Sequence, residues 1–177
     1  MYWFKNKLFI TGACLVLLAA CKPGVKNNGP AYFNLKGYFT AEAKKLSARK
    51  TPITKSVTYN GQPEQKQVLI KNWARELSLF TESDVNKPAW RSSYKVTSNA
   101  DSTVITAVDT NLRTRSITIT QKAGKVKSIR VVNFTKNMLY QSAELLSYYP
   151  DSVYVIEKRQ SVKVMGANSF RISGSLK

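Results

Sequence analysis

Apolar residues follow three rhythms along this 177-residue chain. Leu8 to Ala20 is one apolar run, Leu35, Tyr38, Phe39, Ala43 and Leu46 recur at helical spacing, and from Ser92 onward apolar and polar positions alternate. The helical spacing, with Asn34 as a cap and Lys44-Lys45 near the end, predicts an amphipathic helix over 34–48. Trp73, Leu77 and Phe80, at i, i+4 and i+7, predict a second helix over 71–81 that ends before Pro88. Between them, 54–59 and 65–69 read as paired strands turning at Asn60-Gly61, two residues suited to the positive φ of a tight hairpin.

Alternation and β-branched residues then predict seven strands, over 94–97, 104–108, 114–120, 126–134, 138–148, 153–164 and 170–172. The connections between most of them are only a few residues long, as at Ala123-Gly124 and Thr135-Lys136-Asn137, so neighbours in sequence pair antiparallel. The expected class is α+β: an antiparallel meander forming a curved sheet or half-barrel, with about two helices on one face, following an N-terminal signal helix.

The first apolar run carries a different message. Lys5 and Lys7 precede it, and Lys22-Pro23 end it short of the roughly 20 apolar residues that span a bilayer, so it reads as an export signal. Leu18-Ala19-Ala20-Cys21 resembles the bacterial lipobox, a branched residue and two small ones before a cysteine. The resemblance implies cleavage between Ala20 and Cys21 and diacylglycerol on the Cys21 sulfur. Cys14 is the weaker rival, because Thr11 replaces the branched aliphatic. Lys22 to Ala31, rich in Pro, Gly and Asn, reads as a tether reaching at most about 33–36 Å. Three regions are expected: a signal peptide 1–20, a flexible tether 21–31 and a single domain 32–177. Two or more acyl chains hold a protein firmly on a bilayer without a spanning segment. By resemblance to diderm lipoproteins, the absence of aspartate after Cys21 favours the outer membrane, with the periplasmic side preferred over the surface.

Charge narrows the partners. The chain carries +18, and loss of residues 1–20 removes two lysines and no acid, leaving +16. Such a balance ordinarily suggests nucleic acid. In an exported protein it points instead to anionic lipid, an acidic glycan or an acidic protein. The chain contains no histidine, which removes His-based catalytic triads and the commonest zinc sites. Two S-x-x-K matches, at Ser47 and Ser92, are about as many as chance supplies and lack their companion elements. No glycine-rich phosphate loop is present. No enzymatic activity, cofactor or metal is expected.

Glu76-Leu77-Ser78-Leu79-Phe80, Asn86-Lys87-Pro88-Ala89-Trp90 and the stretch from Asp109 to Arg115 resemble those of uncharacterised Bacteroidetes lipoproteins, a resemblance covering most of the mature chain. The order helix, hairpin, helix, long meander also resembles the half-barrel of lipoprotein-carrier proteins. The first resemblance implies O-glycosylation at Asp-Ser/Thr followed by a small or branched residue, which fits Ser102 and Ser152.

The densest positive stretch holds Arg113, Arg115, Lys122, Lys125, Lys127 and Arg130 without one acid, and is the candidate anion-binding surface. Tyr140, Tyr148, Tyr149, Trp90 and Tyr94 are either core or the mouth of a lipid or glycan site. Two functions are therefore carried forward. One is a non-catalytic binding or carrier module for lipid, glycan or protein; the other is an inhibitor or immunity-type protein presenting the basic hairpin to an acidic partner.

Overall fold

Asn34 caps the first helix among the described residues: its side-chain oxygen accepts the Gly37 N–H at 2.7 Å, and helix α1 runs Leu35–Arg49. In the computed structural model, residues 32–163 and 166–177 are described; the expected signal segment 1–20 and the expected tether 21–31, with Ala20 and Cys21, lie outside the described residues. Leu35, Phe39, Ala43 and Leu46 form the buried stripe of α1, as their spacing requires. Strands β1 (Ile53–Tyr59) and β2 (Gln62–Val68) follow, joined by Asn60 and Gly61 at φ 46° and 86°, the turn expected of that dipeptide. Pro63 is tolerated inside β2 because β2 is an edge strand and needs no second row of ladder donors.

The expected second helix divides in two. Helix α2 is Trp73–Glu76 and helix α3 is Ser78–Glu82, with Leu77 between them at φ −96° and ψ 12°. The break lets Trp73 meet Tyr154 edge-on at 6.3 Å while Phe80 stacks on Phe39 at 4.5 Å. One straight helix would aim both rings by a fixed rotation; tertiary packing overrides that spacing. A short 3₁₀ turn at Pro88–Trp90 leads into the sheet.

Seven further strands form the meander: β3 (Tyr94–Ser98), β4 (Ser102–Ala107), β5 (Thr114–Lys122), β6 (Lys125–Lys136), β7 (Tyr140–Tyr149), β8 (Val153–Val162) and β9 (Gly166–Ser175). All pairings are antiparallel, and the nine strands make one sheet in the order β2-β1-β9-β8-β7-β6-β5-β4-β3. The first hairpin thus adds to the last strand, with Val57 opposite Ile172. Strand β9, paired on both sides, is longer than the 170–172 expected from its few apolar residues.

One face of the sheet carries Ile105, Ile117, Ile119, Ile129, Val131, Leu146, Tyr148 and Tyr154, all buried, and the helices lie across it. The same helical layer reaches both margins. Tyr32, just before α1, donates to the Arg91 carbonyl at 2.5 Å beside the β3 edge, while Glu76 of α2 takes Lys55 of β1 at 2.6 Å. The sheet therefore bends around its helices as an open half-barrel, an α+β arrangement with, among the described residues, three short or medium α-helices in the concavity. Phe39, Phe80 and Tyr148 fill that concavity, with Phe39 5.0 Å from Tyr148 and all three rings fully buried. No helix among the described residues is long and apolar enough to cross a membrane.

Candidate anion-binding site

The six cations of the basic stretch fall into separate places. Lys122 and Lys125 face each other across the Ala123-Gly124 turn, with Lys127 close behind, and all three are exposed. Arg130 stands exposed in the middle of β6, between Thr118 and Ser147. Arg115 lies at the opposite end of β5, seven residues and roughly 24 Å of extended strand from Lys122, and Arg113 just precedes the strand.

Arg113 and Arg115 are joined there by a residue outside the basic stretch. Together with Lys136, Thr110, Thr135 and Phe134 they line a cavity of about 400 Å³. A β-bulge positions Arg115: Thr114 pairs with Asn133 and Ser116 with Val132, leaving Arg115 without a cross-strand partner. Such a bulge re-aims the extra side chain. The Arg115 guanidinium lies 5.2 Å from the Phe134 ring centroid, within cation–π range. Its Nη1 is shut off from solvent and has no hydrogen-bond acceptor. A buried donor with no partner costs free energy, a local strain carried by the Arg115 side chain. Nearby, burial pushes the Tyr94 hydroxyl up to about 12, with Tyr32 adding to the shift and the Arg115 charge opposing it.

Arg113 is committed differently. Its Nη2 donates to Glu144 Oε2 at 2.8 Å, and Lys158 Nζ approaches Glu144 Oε1 at 3.3 Å from the other side. Asn133 Nδ2 lies 3.3 Å from the same carboxylate and donates to Ser83 Oγ at 2.9 Å. The buried Glu144 thus anchors Arg113 at the cavity wall, leaving Arg115 and Lys136 as its cations outside this network.

Other buried or half-buried carboxylates have structural partners. Asp84 accepts the Lys36 and Asn86 backbone N–H groups, each at 2.8 Å. Glu42 takes the Tyr148 hydroxyl at 2.5 Å, and Glu76 takes the Tyr154 hydroxyl besides Lys55. Among the described residues, no group of three or more His, Cys, Asp and Glu side chains could hold a metal ion.

The remaining expected sites are scattered. Ser102 opens β4 and donates to Asn99 Oδ1 at 3.1 Å, while Ser152 lies in the β7–β8 turn, its N–H on the Tyr149 carbonyl at 3.1 Å. Tyr148 is core, Tyr94 is buried against Tyr32 and Trp90, and Tyr140 and Tyr149 stand at opposite ends of β7. They form no common mouth. Lys136 was not among the basic-stretch candidates, yet the chain offered a signal: no acid occurs between Asp109 and Glu144, and Lys136 lies in that window.

No family model, curated protein or solved structure matches the chain.

Proposed function

We propose that this chain is a membrane-anchored envelope lipoprotein whose sheet domain is a non-catalytic binding module for an anionic ligand. The observation that carries the ligand reading is the cavity at this end of β5, where Arg115, stacked on Phe134 and without a carboxylate partner among the described residues, lies with Lys136 in one lining. The lipobox-like Leu18-Ala19-Ala20-Cys21 supports the anchor. Several facts favour binding over turnover. The chain has no histidine, and Glu42, Glu76, Asp84 and Glu144 are tied to tyrosines, cations or backbone amides. The aromatic filling of the concavity under α1 and α3 favours a surface site over a lipid held within the sheet.

Native mass spectrometry on protein extracted from the envelope tests this reading. The expected spectrum shows a co-purified anionic adduct that Arg115→Gln and Lys136→Gln release. A ligand-free parent, or an adduct unaffected by both substitutions, contradicts it.

A further inference from the structure

Six of the ten exposed large hydrophobic side chains among the described residues gather at one end of the sheet. They are Tyr59, Val108, Met138, Leu139, Tyr140 and Phe170. The register explains the gathering: the β1–β2 turn, the 108–113 loop, the β6–β7 turn and the start of the β8–β9 turn all lie there. Asn60 N–H reaches the Ser169 carbonyl at 2.9 Å, Phe134 N–H the Arg113 carbonyl at 2.8 Å, and Lys163 N–H the Leu139 carbonyl at 3.2 Å.

Met138 and Leu139 stand out within this rim. They occupy the tip of the β6–β7 hairpin, 83% and 71% exposed, on a turn held rigid by Asn137 Oδ1, which accepts both the Leu139 and Tyr140 N–H groups at 2.9 Å. Nothing packs them into the domain core. An ordered turn that presents two adjacent large apolar side chains to solvent is unfavourable in water and favourable at a lipid interface. Lys136 and Lys163 flank the tip, and the Arg115 cavity begins at Lys136. Lys136 and Lys163 thus set positive charge directly beside the two apolar side chains of the tip.

The attachment point of the domain agrees. Tyr32, the first described residue, is bonded to the Arg91 carbonyl beside the start of β3, and Val108 N–H meets the Ser93 carbonyl at 2.9 Å. The chain therefore enters the domain at the same end as the rim. Three to four strand spacings separate β3 from the β6–β7 turn, roughly 15–19 Å along the sheet. The ten residues between Cys21 and Tyr32 reach about 33–36 Å, so an anchored cysteine and the hairpin tip can meet one bilayer together.

We propose that this end of the sheet is a membrane-docking surface: Met138 and Leu139 enter the headgroup layer, and Arg115 with Lys136 holds the phosphate of an anionic phospholipid. Arg115 supplies a guanidinium held on the Phe134 ring and Lys136 an exposed ammonium, while Arg113, held by Glu144, fixes the cavity wall. The tether geometry rests on the lipoprotein reading above; the rim and the cavity do not.

The test uses full-length protein purified from the envelope and reconstituted in vesicles, carrying Leu139→Trp, with the parent protein as the blank for the native tryptophans. Docking is expected to blue-shift the added tryptophan and expose it to quenching by brominated phosphatidylcholine when phosphatidylglycerol is present. Arg115→Gln with Lys136→Gln is expected to abolish both effects at unchanged circular dichroism. An unquenched tryptophan overturns the docking surface, and the acyl mass of Cys21 in the same sample shows whether the anchor has failed as well. Quenching that is equal in pure phosphatidylcholine and indifferent to the two substitutions overturns the phosphate assignment. A response to inorganic phosphate without any vesicle quenching overturns the membrane source and leaves a free-anion site.

Discussion

The ring of Tyr154 lies against its cross-strand partner Gly174, so close that a Cβ added at Gly174 would come within 2.2 Å of the ring. This close approach lets the Tyr154 hydroxyl reach Glu76 on α2, which also receives Lys55 from β1. One contact therefore ties β8, β9, β1 and the helical layer. Gly174→Ala is expected to cost about 1–3 kcal/mol, the range for overpacking a filled site. Urea denaturation checks it, with the circular dichroism of the folded state retained. A variant as stable as the parent would show that the ring has room to move.

Four tyrosines are held neutral beyond their ordinary range. Burial is the first cause at each: it pushes Tyr94 up to about 12 and Tyr38, Tyr148 and Tyr154 higher still, Tyr148 and Tyr154 being further raised by hydrogen bonds to Glu42 and Glu76. The unfolded phenol ionises near 10, about two units below folded Tyr94, so the unfolded chain releases its protons first. The resulting stability is fully present below about pH 10 and declines as pH rises toward 12. Ultraviolet titration at pH 11 is expected to show these four phenols silent while the fold persists. They should ionise together with unfolding. Independent ionisation of every tyrosine near 10 in the folded protein would contradict this.

Tyr148→Phe isolates one of these bonds. It leaves the half-buried Glu42 carboxylate without its phenolic donor while keeping the ring between Phe39 and Phe80. The expected loss is about 1–3 kcal/mol at neutral pH. Thermal unfolding at pH 7 measures it, and an unchanged midpoint would assign the packing entirely to the ring.

Glu144 is 8% exposed, whereas its partners Arg113 and Lys158 keep about a third of their side chains in solvent. Glu144→Ala removes the shared acceptor and leaves two cations side by side. Because both can turn toward water, the expected cost is about 1–3 kcal/mol, below that of breaking a fully buried pair. A double-mutant cycle with Arg113→Met should show coupling between the two positions, and additive effects would mean that Arg113 gains nothing from the carboxylate.

Local rules made much of the fold legible. The buried stripe of α1, the Asn34 cap and the Asn60-Gly61 turn are each written in a few neighbouring residues, and the meander follows from alternation with short turns. What depends on distant partners was hidden. Leu77 breaks a helix where Trp73 meets Tyr154 of β8 and Phe80 meets Tyr148 of β7, and β1 joins β9 across more than a hundred residues. The candidate site was legible only as a run of charge. Strand geometry sends Lys122, Lys125 and Lys127 to one end of the hairpin, and a single bulge turns Arg115 toward Lys136 at the other. Thr114-Arg115-Ser116 are three polar residues in a row, so the alternation carried by Ile117 and Ile119 stops there without marking which residue bulges.

The N-terminal peptide of protein isolated from the envelope decides whether the domain is held at a membrane at all. Mass spectrometry is expected to find a chain that starts at Cys21 and carries diacylglycerol on its sulfur. A chain still beginning at Met1, or a Cys21 with a free thiol, would contradict the lipoprotein assignment.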